Sequence, residues 1–342
     1  MATLTRTVTF ENVLAAGLVG ILSTISVYYY QRWRRNRVPT QWEPVGKVSR
    51  IFVYPLKSGH EVELDAAVCT EYGVMVAEKG NKHQFRDRSF LVYNETDKKF
   101  ETARTSEKLM IVKIAAVDKD HVVLSAPDMP SLTLKVPNSA QNESCDITQF
   151  HGEKISCIDC GDEAADWITS VYITEKAVFV LVYPKLSNEA TGLLSDFTSY
   201  LIVNQSTVDD LNKRIGNSEV THRNFRPNII IEGAPPYAED NWAWFKIGNA
   251  ILYTAKPCTR CALTTVNPEN GVRSKFNEPL RTLRKYRLLQ DVMNISLDGD
   301  TPLMGVNVGL QVEGNIKVGD VVYVVDINID DVTYISKIVY RR

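Results

Sequence analysis

Cys258-Thr-Arg-Cys261-Ala-Leu-Thr-Thr-Val-Asn-Pro-Glu-Asn-Gly271, together with the earlier Asn224-Phe-Arg-Pro-Asn228, is the stretch whose reading decides the rest of the chain. A cysteine sulfur beside arginines is a metal ligand or a nucleophile before it is anything else, because nearby cations favour the thiolate. Arg226 and Arg260 stay cationic and present a planar fork that grips phosphate or carboxylate with paired hydrogen bonds. The neighbourhood therefore reads as an anion pocket with a sulfur at its end. That combination suits a phosphorylated, metal-bearing cofactor.

The chain around it has 342 residues, 44% hydrophobic and 23% charged, which is room for one large or two ordinary globular domains. The net charge of −2 hides an asymmetry: five arginines against one glutamate give the first 40 residues +4, leaving −6 for the remainder. An acidic body argues against nucleic acid as a partner.

Residues 13–30 form an uncharged, apolar-rich run of 18 residues. As a helix it would span about 27 Å, enough for the hydrocarbon core of a bilayer. We read it as a single membrane anchor behind a short tail, residues 1–12. A cleaved secretory signal fits less well because no small-residue cleavage site follows, and a buried core helix is the third reading. The run ends in Gln31-Arg-Trp-Arg-Arg-Asn-Arg37, which predicts a body on the cytosolic side. Six cysteines in such a body are expected to be reduced. Sequons at Asn94, Asn142, Asn204 and Asn294 offer a check on topology.

Residues 31–44 read as a basic, proline-containing linker. From 45 to about 136, short β-branched or aromatic runs recur between polar turns: 48–54, 89–93, 110–115, 122–125 and 132–136. A helix is predicted over 162–170, with acidic residues in its first turn. After a polar, turn-rich stretch around 187–197, strands are predicted at 199–204, 229–231, 250–253 and 321–325. Ser206-Thr-Val-Asp209 reads as a capping box opening a helix through Arg214. A Lys-Val-Gly-Asp turn precedes the last strand, at 317–320. The fold class is mainly β with some α, with one β-rich domain over 45–175 and a second over 176–342.

Other constellations carry bland readings. Cys157/Cys160 and Cys258/Cys261 could make a four-thiolate zinc site, but 97 residues separate the pairs, where ribbon-type sites have roughly 15–20. Cys157 and Cys160 are small buried hydrophobes on the dull reading. Lys57 and Ser58 in Pro55-Leu-Lys-Ser-Gly59 sit where a strand runs into a loop, a frequent place for phosphate contacts, though an isolated lysine there is usually solvated. Asp87 in Arg86-Asp-Arg88 reads as a partner in an ordinary surface ion pair. Glycine-rich nucleotide loops, His-Glu-x-x-His and Gly-x-Ser-x-Gly are absent from the sequence.

Taken in order, Pro55-Leu-Lys-Ser58, Arg86-Asp-Arg88, Asp159-Cys-Gly161, Asn224-Phe-Arg-Pro-Asn228, Tyr237-Ala-Glu-Asp240, Cys258-Thr-Arg-Cys261-Ala-Leu-Thr-Thr265 and Ile316-Lys-Val-Gly-Asp320 resemble the MOSC-domain family, in its membrane-anchored, amidoxime-reducing branch. The resemblance runs from about Val45 to Tyr323. It implies a MOSC β-barrel domain preceded by a β-rich MOSC N-terminal domain, with the molybdenum cofactor (Mo-molybdopterin) held between them. It implies Cys261 as the thiolate on molybdenum, and Lys57, Ser58, Arg88, Thr198, Ser199, Arg226, Asn228 and Thr259 as cofactor contacts. It further implies reduction of small N-hydroxylated substrates, amidoximes and hydroxylamines. Electrons would come from NADH through a flavin reductase and cytochrome b5, and the body would face the cytosol from the mitochondrial outer membrane; peroxisomal and ER membranes are alternatives. The chain departs from the family at Asn307, where an aromatic residue is usual, and at Cys157, where cysteine is not. Two competing roles stay open here: a cofactor sulfur carrier, although no pyridoxal-phosphate sulfurase domain is fused, and a membrane-anchored zinc scaffold without enzymatic activity.

Overall fold

Two apolar runs with no polar alternation, Tyr200–Asn204 and Ile229–Glu232, form a parallel pair, with Ile202 opposite Ile229 and Val203 opposite Ile230. Strands covered on both faces have no reason to alternate, and every residue of Tyr200–Asn204 is buried. From this pair the sheet runs Ile229–Glu232, Tyr200–Asn204, Leu303–Val312, Ala250–Thr259, Trp242–Ile247, Val321–Asp326, Glu43–Val53, and the last pairs back onto the first. Seven strands thus close into a barrel, and Val62–Leu64 extends the sheet from Glu43–Val53. Closure satisfies both edges of the sheet, and the inward faces bury Ile51, Ile202, Phe245, Leu252, Val308 and Val324 in one core. The strand Glu43–Val53, from the N-terminal half of the chain, is what closes a barrel otherwise built from the C-terminal half.

The structure is a computed structural model and describes residues 37–77, 80–94, 99–137, 144–148, 154–172, 177–182, 198–216, 220–288 and 301–327. Among the described residues, three further sheets lie outside the barrel: a five-stranded one ordered Ser144–Thr148, Lys154–Asp159, Ala177–Val182, Phe90–Asn94, Lys99–Phe100, and two of three strands. One of these joins Gly314–Lys317 to Ala66–Thr70 and Gly73–Val76, and the other is Lys113–Ala116, His121–Ser125, Leu132–Lys135. The helix Asp162–Tyr172 buries Ala164, Trp167 and Ile168, the spacing of one helical face, and Trp167 Nε1 donates to the Pro130 carbonyl at 2.7 Å. The fold is mainly β with few helices. Among the described residues no helix is long and apolar enough to cross a membrane, and the anchor expected at 13–30 lies outside them.

The helix expected from a capping box at Ser206 starts instead at Gln205, because the Asn204 side chain accepts from Ser206 N at 3.3 Å and caps the helix from the strand's last residue. The strand expected at 110–115 begins only at Lys113; Glu107–Ile111 is a 3-10 turn closed by its own backbone bonds. Leu303–Val312, not among the expected strands, carries two glycines, Gly305 and Gly309. Both glycines are packing requirements: a Cβ on Gly305 (φ +72°) would stand 2.6 Å from Ile202 O, and one on Gly309 2.5 Å from the Tyr253 ring. The stretch 187–197 and the sequons Asn142 and Asn294 lie outside the described residues, whereas Asn94 and Asn204 are buried and so report nothing on topology.

Glu239, wholly buried in the 3-10 turn Ala238–Asn241, accepts from Thr207 Oγ1 at 3.0 Å and from Asn204 N at 3.4 Å. Burial pushes its carboxyl up from 4.5 to about 7. A folded-state value above the unfolded one favours the fold at low pH and loses that contribution as pH rises between these two values. Glu239→Gln should therefore gain unfolding free energy over the parent as pH rises from about 4.5 to about 7, on the order of 3 kcal/mol at pH 7. Urea unfolding at several pH values measures this, and a pH-independent difference would contradict it.

Candidate functional site

The chain segment Val53 to Gly59 leaves the barrel-closing strand and turns. Its centre is Tyr54, buried completely. The Tyr54 N–H donates to Asp87 Oδ1 at 2.9 Å, its carbonyl accepts from Arg88 N at 2.6 Å, and its hydroxyl donates to the Pro227 carbonyl at 3.1 Å. Two guanidinium carbons lie against its ring, Arg88 at 5.3 Å and Arg226 at 4.2 Å. One aromatic residue thus gathers Arg86-Asp-Arg88 and Asn224-Phe-Arg-Pro-Asn228 from distant parts of the sequence.

Arg226 is 6% exposed and sits in the left-handed region at φ 56°. Its Nη1 donates to Gly59 O at 2.7 Å and reaches Met110 Sδ at 3.6 Å, while its buried Nη2 has no hydrogen-bond partner among the described residues. Burial, with the Arg88 charge adding, lowers its pKa to about 10, which leaves it cationic at neutral pH. Ser58 (φ 66°) and Arg88 (φ 52°) are also left-handed. Three of the six non-glycine residues with positive φ in the described chain thus fall on expected cofactor contacts, and backbone strain of this kind clusters at ligand sites. Asp87 pairs with Arg88, but its side chain is 2% exposed, so the surface ion pair expected here is a buried one. Arg86 turns away, its guanidinium 6.0 Å from the Tyr72 ring.

Lys57 is buried with its ammonium 5.0 Å from the Phe100 ring centre. Thr198 and Ser199 enter the strand Tyr200–Asn204. Ser199 Oγ donates to Glu71 O at 2.9 Å, beside the strand whose Val74 carbonyl accepts Asp87 N at 2.8 Å. Thr198 Oγ1 donates to Tyr200 O at 2.9 Å, with Asn307 Oδ1 as an alternative acceptor at 3.5 Å. Asn228 is buried with its amide spent on the backbone: Oδ1 accepts from Leu201 N at 3.1 Å and Nδ2 donates to Phe52 O at 3.3 Å.

Cys261 follows the long strand Ala250–Thr259, whose pairing with Leu303–Val312 shifts register three times. Such irregularities bend a strand and re-aim its end. Thr259 is the last strand residue, opposite Leu303, and Cys261 caps the 3-10 turn Ala262–Thr265 in partly exposed surroundings. That turn is bolted to Arg226: Asn224 Nδ2 donates to Thr264 O at 3.2 Å and Val266 O at 3.3 Å. Arg260, expected in the anion pocket, is committed elsewhere. Its Nε donates to Met304 O at 2.8 Å, its Nη1 to Phe225 O at 3.0 Å, and its Nη2 again to Met304 O. It is the clamp that holds the Cys261 loop to both neighbouring segments. Cys258 packs against the apolar cluster containing Phe225, Leu283 and Met304. Among the described residues no three His, Cys, Asp or Glu side chains are gathered as metal ligands, and Cys157 and Cys160 are buried. Arg104 Nε donates to Cys261 Sγ at 3.3 Å, although an arginine in Glu101-Thr-Ala-Arg104 carries no local motif that would announce it.

Two family models together span most of the chain. Residues 45–175 match the MOSC N-terminal beta barrel domain and residues 190–323 the MOSC domain. Mouse mitochondrial amidoxime-reducing component 1 is 33% identical over 327 residues, covering 92% of each chain, and its human counterpart is 36% identical over 330, covering 91% and 92%. Bovine mitochondrial amidoxime reducing component 2 is 35% identical over 305 residues, 85% of this chain and 87% of its own. The chain belongs to the MOSC-domain family, alongside the mitochondrial amidoxime-reducing components.

Asn224→Ala removes both bonds that tie the Cys261 turn to the Arg226 segment and leaves two buried carbonyls short of a donor. It should cost about 1–3 kcal/mol of unfolding free energy. Denaturant titration checks this; an unchanged midpoint would mean that the two segments hold their places independently.

Proposed function

We propose that the chain is a molybdenum-cofactor-dependent reductase of N-hydroxylated compounds. The observation that carries the cofactor reading is Arg226 Nη2, a buried cationic donor with no partner among the described residues, beside a second arginine at the same ring. A buried unpaired donor is costly, and a phosphate monoester of nearly two negative charges offers both the acceptor and the counter-charge. The donor set therefore fits the group. Arg226, Arg88 and Lys57 would hold its phosphate, Ser58, Thr198, Ser199 and Thr259 would supply neutral hydrogen bonds, and Asn228 would shape the turn from within. Cys261 would be the soft ligand for the metal. The substrate class rests on the names of relatives that match about nine tenths of the chain.

When bound, the molybdenum cofactor supplies two-electron chemistry that accepts the substrate's oxygen. The net conversion takes an amidoxime, two electrons and two protons to the amidine and water. The chain's part is to keep fixed positive charge around the site, so that charge developing in the reaction meets dipoles already in place. In this reading the electrons arrive from NADH through a flavin reductase and cytochrome b5. An anchor at residues 13–30 would hold the body at the mitochondrial outer membrane, facing the cytosol, where tethering raises the effective concentration of partners on the same surface.

The test is NADH-dependent reduction of benzamidoxime with reconstituted cytochrome b5 and its reductase. Cys261→Ser should abolish turnover, while Cys258→Ser, altering a sulfur packed in an apolar cluster, should retain most of it; equal losses would revive a paired-cysteine site. Arg226→Lys keeps the charge but not the fork, and should lower cofactor retention roughly tenfold or more, since a charge-assisted bond is worth about 1.5–3 kcal/mol. Deleting residues 1–40 should release an active, soluble body, and a product still bound to membranes would refute the anchor.

A further inference from the structure

Arg104 donates its Nε–H to the Cys261 sulfur at 3.3 Å across 157 residues of sequence. The contact is held from several directions. Arg104 lies in a turn where the N–H groups of Thr105 and Ser106 both bond to the Thr102 carbonyl, at 3.0 and 2.9 Å. Arg273, from the loop after Cys261, returns the gesture: its Nη2 donates to the Arg104 carbonyl at 3.0 Å, and its Nε and Nη2 reach Glu107 Oε1 at 3.0 and 2.7 Å. Buried Ala103, Met110 and Val266, with Leu263 packed on them, close an apolar cluster between the two segments. Met110 in turn touches Arg226 through its sulfur at 3.6 Å. A guanidinium that stays charged is thus held against one sulfur by backbone, ion pair and apolar contact together.

We propose that Arg104 is a positioning residue for the metal-ligating sulfur. Its Nε–H sets the direction in which Cys261 Sγ presents its lone pairs and draws charge from the sulfur, making the bound metal easier to reduce. This rests on the reading of Cys261 as the cofactor's ligand. The physical basis is general: a hydrogen bond to a ligating sulfur weakens its donation and raises the reduction potential of the centre. A tie serving stability alone would leave that potential unmoved.

The first arm of the test compares wild type, Arg104→Met and Arg104→Lys as full-length, cofactor-loaded chains, by molybdenum content per chain and by potentiometric titration of the metal's paramagnetic signal. Metal content should stay near wild type, with the potential shifted negative in R104M and shifted less in R104K, whose ammonium restores charge without the planar N–H. An unshifted potential in R104M at equal metal content overturns the proposal. The second arm needs no metal: the arginine Nε–H resonances of the metal-free full chain are recorded, with that of Arg104 identified by its loss in R104K. The resonance should exchange slowly with water and move on Cys261→Ala; indifference to C261A overturns the proposal. Should R104M fail to fold, R104K and the resonance decide. If wild type takes up no molybdenum, the proposed function fails, while the resonance still decides whether Arg104 holds the sulfur.

Discussion

The ring of Tyr54 is the constraint on which the site depends. Two guanidinium groups placed close together repel, and burial removes the water that would screen them. Here the cost is met by Asp87 on the Arg88 side and by the Tyr54 π-face, which takes Arg88 at 5.3 Å and Arg226 at 4.2 Å. Both Tyr54 backbone groups and its hydroxyl are bonded, so the ring has no freedom to swing away from either cation. Positive charge is concentrated before any ligand arrives, and one donor, Arg226 Nη2, is left aimed at nothing in the described protein.

The barrel makes this arrangement possible. Because Glu43–Val53 closes the sheet, the chain that leaves it delivers Tyr54, Lys57 and Ser58 beside the end of the parallel pair, where Ile229–Glu232 begins just after Arg226-Pro-Asn228. Asn228 stitches the crossing by bonding Leu201 on one side and Phe52 on the other. Cys261 arrives from a third direction, just beyond a strand bent by repeated register shifts, on a segment fixed by Arg260 and Asn224. Rigid barrel strands thus carry strained turns, which is how a site can hold geometry that isolated loops would lose.

Much of this was legible in the sequence. Cys261 and Arg226 stand out by residue chemistry, Lys57 and Ser58 enter as cofactor contacts only through the family resemblance, and the strands expected at 229–231 and 321–325 by their β-branched runs are observed at 229–232 and 321–326. What was hidden depends on contacts that no local pattern encodes. Arg260 looks as able to bind an anion as Arg226 does, and only the carbonyls of Met304 and Phe225 reveal it as a clamp. Asp87 looks like a surface charge until Tyr54 covers it. Gly305 and Gly309 look like loop residues until the Ile202 carbonyl and the Tyr253 ring are seen to need the space. Arg104 carries no motif, and its meaning comes from a sulfur far along the chain.

The central claim is that Arg226 and Cys261 serve one phosphorylated, metal-bearing group. It is tested most directly by anomalous diffraction at the molybdenum absorption edge from crystals of the purified chain. The account predicts a single peak bonded to Cys261 Sγ, with phosphate density in hydrogen-bond contact with Arg226 Nη2. A map with no peak at Cys261, and Arg226 Nη2 bonded to the protein's own carbonyls, would contradict it.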